Sequence, residues 1–416
     1  MSDAPAIKPK PLGPVPGGYG AENGQLTIGG ETATALVERA GRTPLFVYSR
    51  SMMEERMAEL RAAMPERIKI NYAIKANSFQ PVLLAMSNLV DGLDIASGGE
   101  LDMIRAAGID PERVSFAGPG KRDAELKAAV AAGVTLNLES ENEAERALAI
   151  AHRLGQTPRL AVRVNPDFEI KGSGMKMGGG AKPFGVDAER VPALVRHIVD
   201  VGCDFRGLHI FSGSQALDAE ALVEAQANTL ALANRIAHEA GVVLPKLNMG
   251  GGFGIPYFPG DTPLDIGRVG VALEERFAEL PDTLAGAELF LELGRYLVGE
   301  AGIYLTRIVD RKVSHGETFL VTDGGLHHQL AASGNFGQVV RRNYPLAIAD
   351  RFDAAPEEIV NVVGCLCTPL DRLADRAHLP HAEVGDLVAV FCAGAYGASA
   401  SPSAFLGQGP AAELLV

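Results

Sequence analysis

The sequence predicts an α/β protein: a (β/α)8 barrel of the TIM-like kind, followed by a C-terminal, mostly antiparallel β domain. From about Thr43 onward, short β-prone runs alternate with stretches rich in Ala, Leu, Glu and Arg. This alternation extends over about 250 residues, which is the usual size of such a barrel. After Arg295 the helical stretches become rare, and β-prone runs are separated by Gly, Pro and Asp, as is typical of antiparallel β domains.

Eight apolar runs provide the strands of the predicted barrel. They are Lys69–Ala76, Gly92–Ser97, Val114–Gly118, Thr135–Ser140, Leu160–Asn165, Phe205–Phe211, Lys246–Met249 and Glu288–Leu293. Amphipathic stretches, most of them between these runs, predict helices. They are Ser51–Ala63, Gly99–Ala107, Asp123–Ala132, Glu141–Leu154, Val191–Val201 and Leu222–Ala240. An open, doubly wound sheet is the competing layout, but it requires a glycine-rich turn after the first strand, where this chain has Lys75-Ala76-Asn77.

The β domain is predicted from the runs that follow Arg295. They are Tyr304–Val309, Thr318–Val321, Ile359–Val363 and Leu387–Cys392. We expect three parts: an N-terminal segment, residues 1–42, whose stretch Gln25–Thr34 adds a strand to the β domain; the barrel, 43–295; and the β domain, 296–416. Phe168–Gly185 is rich in Gly and Lys without periodicity, which predicts a mobile loop after the fifth strand.

Composition limits the classes of partner and compartment. The formal net charge of −13 disfavours nucleic acid or an anionic membrane as a main partner, because phosphates would be repelled. The four cysteines are too few for a disulfide framework, and Cys365 and Cys367 have no partners at metal spacing, so we expect no metal site and a cytoplasmic location. Met1–Gly20 lacks the apolar core of a secretory signal, and no apolar run is long enough to span a bilayer.

Lys75 is the residue that most clearly indicates chemistry. An apolar strand delivers it to the C-terminal strand end, where small and polar residues follow. Burial there would disfavour the ammonium form and leave a nucleophilic amine, which a Schiff base with an aldehyde cofactor requires. Taken alone, the segment also fits a lysine that extends from a strand end into solvent.

Groups suited to a phosphate follow the later strands. In a barrel, functional residues collect at the C-terminal strand ends. Gly250, Gly251 and Gly252 offer backbone N–H groups without shielding side chains, while Arg295 and Ser214 add a guanidinium and a hydroxyl. Beside a candidate Schiff-base lysine, these groups point to pyridoxal 5′-phosphate (PLP).

Glu292 is the candidate partner for the pyridine nitrogen of that cofactor, since a carboxylate there keeps the nitrogen protonated and strengthens the ring as an electron sink. Residues three apart on a strand point to opposite faces, so the chain must turn between Glu292 and Arg295 for both to reach one ligand. The alternative for Glu292 is a local ion pair. Cys367 and Tyr396 could each belong to the active site or be an ordinary buried residue.

From about Thr43 to Leu406 the chain resembles the fold-type III PLP-dependent decarboxylases, the family of ornithine, arginine and diaminopimelate decarboxylases. The motifs that carry the resemblance are Tyr72–Asn77, Asp94–Glu100, Arg163–Pro166, Gly213–Gln215, Gly250–Gly254, Glu292–Arg295, Cys367 and Gly394–Tyr396. The resemblance implies that Lys75 forms the Schiff base, that Glu292 faces the pyridinium nitrogen and that Cys367 protonates the substrate carbon. It assigns the phosphate to Ser214, Gly250, Gly251, Gly252, Arg295 and Tyr396, and supporting roles to Asp94, Glu100 and Arg163. It also implies a homodimer with sites at the interface, each completed by the partner subunit's Cys367 and the partner subunit's Asp371.

Three positions depart from the family pattern. Leu293 replaces a proline. Phe211 stands where relatives have a histidine over the cofactor ring, and His209, on the same strand face, is the alternative stacking residue. Thr368 replaces the acid that ornithine and diaminopimelate decarboxylases place after the cysteine, and threonine cannot pair with a distal ammonium. The variants Phe211 and Thr368, with residues 326–329, resemble subgroups associated with exosortase and exopolysaccharide clusters or acting on carrier-protein-bound glutamate.

We therefore predict PLP-dependent α-decarboxylation of a small amino acid, or of an amino-acyl group on a carrier protein, that lacks a distal ammonium, with Thr368 and Asp371 contacting the substrate. The alternatives are an ornithine- or diaminopimelate-type decarboxylase, an amino-acid racemase on the same architecture, and a PLP-binding protein without activity. Arg341 and Arg342 are a candidate contact for an acidic group or carrier protein, or an ordinary solvated pair.

Overall fold

The computed structural model describes residues 8–416 apart from 171, 173, 337 and 339. The described chain divides into two compact units. The barrel unit consists of Arg56–Ile255 and Pro263–Tyr296, and the β unit of residues 8–55, Pro256–Thr262 and Leu297–Val416. The domain limits expected from the sequence, after residues 42 and 295, stay a prediction.

The barrel unit is built on parallel strands. In chain order they are β1 (Ile68–Ala73), β2 (Gly92–Ile95), β3 (Val114–Phe116), β4 (Thr135–Leu138), β5 (Arg159–Asn165), β6 (Asp204–Ile210), β7 (Lys246–Gly251) and β8 (Glu288–Leu293). Each strand pairs with the next, and β8 pairs with β1, so these strands of the described chain close into a barrel. The predicted barrel is confirmed, and every predicted strand run overlaps one of these strands.

Helices alternate with the barrel strands. Along this part of the chain they are Arg50–Ala63, Gln80–Leu89, Gly98–Ala106, Asp123–Ala132, Glu141–Leu154, Val191–Asp200, Ala219–Ala240, Ile266–Phe277, Asp282–Ala285 and Arg295–Val298, with 3-10 turns at Ile74–Ala76 and Pro111–Arg113. Local signals set several helix ends. Ser97 and Ser140 accept N–H groups of the first turn with their side chains, and Gly155 ends its helix in the left-handed conformation.

The β unit is built around a mixed sheet. Its strands are Leu45–Tyr48, Gly302–Ser314, Glu317–Thr322, Leu346–Ile348, Glu358–Val363, Arg372–Leu379, Leu387–Val390 and Ala412–Leu415. Most neighbouring strands are antiparallel, which confirms the predicted class. The parallel neighbours within the described residues are Glu317–Thr322 with Glu358–Val363, and Leu45–Tyr48 with Ala412–Leu415. Short 3-10 turns lie at Ala349–Arg351, Ala398–Ala400 and Phe405–Gly407.

The N-terminal segment pairs differently from the prediction. Gln25–Ile28 forms a small separate sheet with Gly20–Glu22 and Glu31–Thr32, and the helix Ala33–Ala40 follows. The strand that enters the large sheet is instead Leu45–Tyr48, which the sequence placed in the barrel. All four of its residues are buried, so it suits a position between two strands. Gln25–Ile28 fully buries only Leu26 and Ile28, which join the same hydrophobic core from outside that sheet.

Among the described residues, none of the helices combines the length and the apolar character that crossing a bilayer requires. Likewise, the described part of the chain contains no group of three or more His, Cys, Asp or Glu side chains arranged to hold a metal ion.

Candidate active site

Lys75 and Glu292 meet at the C-terminal end of the barrel. Strand β1 ends at Ala73, and the 3-10 turn that follows carries Lys75. Glu292 lies on β8, opposite Asn71 of β1. The Nζ atom of Lys75 is 3.4 Å from Oε1 of Glu292, and the Lys75 side chain is 46% exposed. The expectation of a buried, desolvated amine is therefore wrong, because the turn carries Lys75 beyond the apolar strand. The group next to the Lys75 amine is the Glu292 carboxylate.

Glu292 is buried among donor groups. The Nε2 atom of His209 on β6 is 2.9 Å from Oε2 of Glu292, and the Nδ2 group of Asn248 on β7 donates to the same oxygen at 3.3 Å. Burial raises the pKa of the Glu292 carboxyl, but the positive charge of Lys75 and the contact with His209 lower it by more than burial raises it. The pKa therefore lies well below its usual range. Glu292 is therefore an anion at neutral pH.

Asp94 on β2 faces the interior of the same barrel and is 4% exposed. Burial, and then the negative charge of Glu292, raise the pKa of Asp94 to about 6. The pKa values of these two neighbouring carboxyls are thus shifted in opposite directions: burial dominates at Asp94, whereas Lys75 and His209 outweigh it at Glu292.

The turn Gly250–Gly252 leaves no room for side chains. A Cβ atom on Gly251 would lie 2.3 Å from the Glu292 carbonyl oxygen, and one on Gly252, at φ 79°, would lie 2.6 Å from that of Gly213. The Asn248 carboxamide oxygen accepts the N–H of Gly250 at 2.9 Å. The backbone of this turn is therefore held in place and unshielded, as a phosphate cradle requires.

Ser214 lies beside that turn because two backbone segments are joined there. The Ala216 N–H donates to the Gly252 carbonyl, and the Gly254 N–H to the Ala216 carbonyl, both at 2.9 Å. The Gln215 side chain both donates to and accepts from the backbone of Ile255, at 2.6 and 3.2 Å. These bonds bring the predicted phosphate residues Ser214 and Gly250–Gly252 together.

Arg295 begins the short helix Arg295–Val298 directly after β8. Gly294 makes the turn between them, and a Cβ atom there would lie 2.9 Å from that of Ala76 and 3.2 Å from the Ala73 carbonyl oxygen. Because the chain leaves the strand at this point, strand alternation does not separate Glu292 from Arg295. The required turn between these two residues is present.

The two candidate stacking residues occupy different places. His209 is buried against Glu292. Phe211 is one residue beyond the end of β6, and its ring centre is 5.8 Å from the Nζ atom of Lys75. Phe211 therefore lies beside the Lys75 amine, whereas His209 contacts the carboxylate.

A pocket of about 200 Å³ opens beside the Lys75–Glu292 pair. Its walls include Lys75, Asp94, Arg163, Met177, Phe184 and Glu292. Met177 and Phe184 belong to the loop predicted at Phe168–Gly185, of which residues 171 and 173 lie outside the described residues. Met175–Lys176 in this loop pairs with Gly213–Ser214; the mobility of the loop stays a prediction. Sequence reasoning assigned no role to Met177, Phe184 or Asn248, although a polar residue on a buried strand, as at Asn248, is a usable signal.

Glu100 lies on the helix Gly98–Ala106 of the barrel unit, where its carboxylate accepts the Ala96 N–H. The other remaining predicted residues lie in the β unit. Cys367 is exposed, and the Thr368 hydroxyl oxygen accepts the Leu370 N–H at 3.3 Å. Tyr396 is half-buried with a φ of 56°. Arg341 donates to the Arg372 carbonyl, and the guanidinium carbon of Arg342 is 3.7 Å from the ring centre of Phe258, so both arginines contact the β unit itself.

Asp371 requires a correction. It is 2% exposed, its Oδ1 atom accepts the Leu326 N–H at 2.7 Å, and its Oδ2 atom accepts the Leu366 N–H at 2.8 Å. Burial raises the pKa of this carboxyl. Asp371 joins two backbone segments, and this geometry does not support the substrate contact predicted for it.

The chain is similar to known proteins over most of its length. Residues 50–299 match the family model described as the pyridoxal binding domain of pyridoxal-dependent decarboxylases. The chain is 36% identical over 388 residues to the L-glutamyl-[BtrI acyl-carrier protein] decarboxylase of Niallia circulans, covering 92% of this chain and 90% of that protein. It is 33% identical over 401 residues to the diaminopimelate decarboxylase of Archaeoglobus fulgidus, covering 96% and 93%.

A solved structure of diaminopimelate decarboxylase from Helicobacter pylori, complexed with L-lysine, superposes with a TM-score of 0.80 at 26% identity, covering 92% of this chain and 94% of that one. The residues described above fit PLP: a lysine amine, a carboxylate kept anionic beside it, and a glycine turn without room for side chains. The chain belongs to the family of pyridoxal-dependent decarboxylases.

Proposed function

We propose that this PLP-dependent amino-acid decarboxylase acts on an amino acid, free or attached to a carrier protein, whose far end carries no ammonium group. The observation that carries the proposal is the hydrogen bonding of Asp371, the acid in the loop Gly364–Asp371. Asp371 is the only acidic residue of that stretch, and its two oxygens each accept a backbone N–H. A substrate ammonium reaching this loop would meet Thr368, which is neutral, and the unpaired charge would be costly to desolvate.

In the proposed reaction, PLP supplies an aldehyde for the substrate amine and an electron sink for the bond to the leaving carboxylate. Lys75 would hold the cofactor through its amine, and Glu292 would keep the pyridine nitrogen protonated. The cofactor phosphate would be held by Ser214, Gly250, Gly251, Gly252, Arg295 and Tyr396. Phe211 would pack against the ring.

The chain's own residues set the protonation states at this site. Glu292 retains its negative charge because Lys75, His209 and Asn248 surround it. Cys367 would donate the proton that replaces the lost carboxyl group on the substrate carbon, since a thiol can act as a positioned acid. We assign this step to the partner subunit's Cys367 in a homodimer, the arrangement implied by the family resemblance.

The glutamyl-carrier relative, at 36% identity, supports a carrier-bound substrate as one form of this proposal. The diaminopimelate decarboxylase relatives, at 33% identity for that of Archaeoglobus fulgidus, make the diaminopimelate-type enzyme the second candidate. A cytoplasmic location is part of the same proposal, and the four free cysteines of the chain are consistent with it.

The test is release of CO2 from a panel of substrates with the PLP-loaded enzyme. The panel contains L-glutamate and a glutamyl-carrier-protein conjugate on one side, and diaminopimelate, ornithine, lysine and arginine on the other. We expect kcat/KM to be at least about tenfold higher for the best substrate without a distal ammonium. A preference for diaminopimelate or ornithine would overturn the substrate proposal, and racemised product without CO2 would overturn the reaction.

A further inference from the structure

We propose that Glu139 is a positioning residue that joins Arg163 to the segment 178–187, called here the wall segment, and thereby fixes one wall of the cofactor pocket. The proposal rests on the Lys75–Glu292 pocket being the site that holds PLP. It assigns a role to a strand-end acid that the reaction itself does not use.

Glu139 follows β4 directly and its side chain is 2% exposed. Its Oε1 atom accepts hydrogen bonds from Nη1 of Arg163 at 2.8 Å and from the Gly118 N–H at 2.6 Å. Its Oε2 atom accepts the Gly185 N–H at 2.7 Å. One carboxylate thus connects β5, the segment after β3 and the wall segment.

The wall segment packs closely against β5 at this point. A Cβ atom on Gly185, where φ is 73°, would lie 2.8 Å from the Asn165 backbone nitrogen and 2.9 Å from the Arg163 carbonyl oxygen. Val186–Asp187 then pairs in parallel with β5. Glycine is therefore required for this approach, and the hydrogen bond to Glu139 fixes the segment where it begins to pair.

The hydrogen bonds of Glu139 fix the positions of two side chains that line the pocket, Phe184 and Arg163. The ring centre of Phe184, the residue before Gly185, is 5.1 Å from the guanidinium carbon of Arg163, and both residues line the pocket with Lys75. Burial raises the pKa of Glu139, but the charges of Arg163 and Lys121 lower it below the usual value. The carboxylate therefore remains charged and holds the guanidinium on one side and the wall segment on the other.

The neighbouring Glu143 provides a matched control. Its carboxylate pairs with Lys121 at 2.7 Å, and the two side chains are 3% and 1% exposed. It resembles Glu139 in burial and in having a charged partner, but its carboxylate contacts Lys121 and the backbone of Glu139 rather than Arg163 or the wall segment.

The experiment compares Glu139→Gln with Glu143→Gln. The glutamine in place of Glu139 has one acceptor oxygen instead of two. That oxygen keeps two hydrogen bonds when it faces Arg163 and Gly118 but one when it faces Gly185, so the Gly185 N–H is expected to lose its acceptor. In the protein without PLP, we expect amide hydrogen exchange across residues 178–187 to be about tenfold faster in Glu139→Gln, as for a lost charge-assisted hydrogen bond, and unchanged in Glu143→Gln. We also expect the dissociation constant of PLP, measured by titration, to rise about tenfold in Glu139→Gln alone.

Equal exchange of the wall segment in the two variants would overturn the proposal and make Glu139 an ordinary buried acid. Gly185→Ala is the second variant, because it displaces the wall segment without removing a charge; wild-type PLP affinity in this variant would also overturn the proposal. Exchange is measured without cofactor or substrate, so its outcome is independent of the substrate that the enzyme uses.

Discussion

The Nζ atom of Lys75 lies 3.4 Å from Oε1 of Glu292, although the two residues are 217 positions apart in the sequence. Lys75 follows the first strand of the barrel and Glu292 lies on the last. Their contact therefore exists because β8 pairs with β1. An open sheet, the competing layout, would place these two strands far apart, so closure of the barrel is what assembles the candidate site.

Lys75→Ala should abolish both CO2 release and covalent attachment of PLP, because the amine that holds the cofactor is removed. Attachment is measured by borohydride reduction followed by mass spectrometry of the peptide that contains residue 75. Lys69→Ala is the control, since Lys69 lies on the strand that precedes Lys75 and pairs with Glu288 outside the pocket. Full activity in Lys75→Ala would contradict the assignment.

Glu292→Gln should lower kcat by about a hundredfold or more while PLP still binds, because a neutral amide cannot keep the pyridine nitrogen protonated. Glu288→Gln, at the other end of the same strand, should leave kcat unchanged. The measurements are steady-state CO2 release and a PLP titration for each variant. A kcat within threefold of wild type would remove Glu292 from this role.

The sequence predicts the barrel strands well because their apolar runs depend on local composition. It misses the helix Gln80–Leu89, whose few polar residues give no clear amphipathic pattern. It also misses the strand Arg372–Leu379, which lies at the edge of its sheet, where charged residues are tolerated and weaken the strand signal.

The site is predicted only as far as local sequence determines it. The family motifs identify Lys75 and Glu292, but the exposure of Lys75 depends on a turn that the strand pattern does not reveal. Asp371 accepts a hydrogen bond from the backbone of Leu326, which is 45 residues away in the sequence, so its structural role is not visible in the local sequence. Likewise, the role proposed for Glu139 depends on Arg163 and Gly185, which come from two other segments.

Asp94→Asn should change how stability depends on pH. The pKa of Asp94 is about 6 in the folded protein, against an ordinary value of 3.8, because ionisation inside the barrel is costly. Its contribution to stability is therefore fully present below about pH 4 and is lost as the pH rises through about 6. Relative to wild type, the variant should gain stability over this interval, by up to about 3 kcal/mol.

The measurement for Asp94→Asn is urea unfolding of the protein without PLP between pH 4 and 8. Asp102→Asn is the control, because Asp102 is 77% exposed. A free-energy difference between Asp94→Asn and wild type that stays constant over this range would show that Asp94 does not titrate as described.

Cys367→Ala should still release CO2 but should direct the proton to a different position, so the amine product falls and a carbonyl product appears in its place. Cys365→Ala is the control, since the Cys365 thiol donates to the Asp323 carbonyl, at 3.6 Å, and is assigned no role in the reaction. Products are resolved by chromatography against released CO2. An unchanged product ratio in Cys367→Ala would exclude Cys367 as the proton donor.

Thr368→Glu should raise the preference for substrates with a distal ammonium. The substitution adds a carboxylate to a loop whose only acid, Asp371, is already used by two backbone N–H groups. A partly exposed ion pair of this kind should raise kcat/KM for diaminopimelate or ornithine, relative to L-glutamate or its carrier conjugate, by about fivefold. Thr368→Ser keeps a neutral hydroxyl and should keep the wild-type ratio. If Thr368→Glu left that ratio unchanged, residue 368 would not contact the far end of the substrate, and the basis for excluding a distal ammonium would be lost.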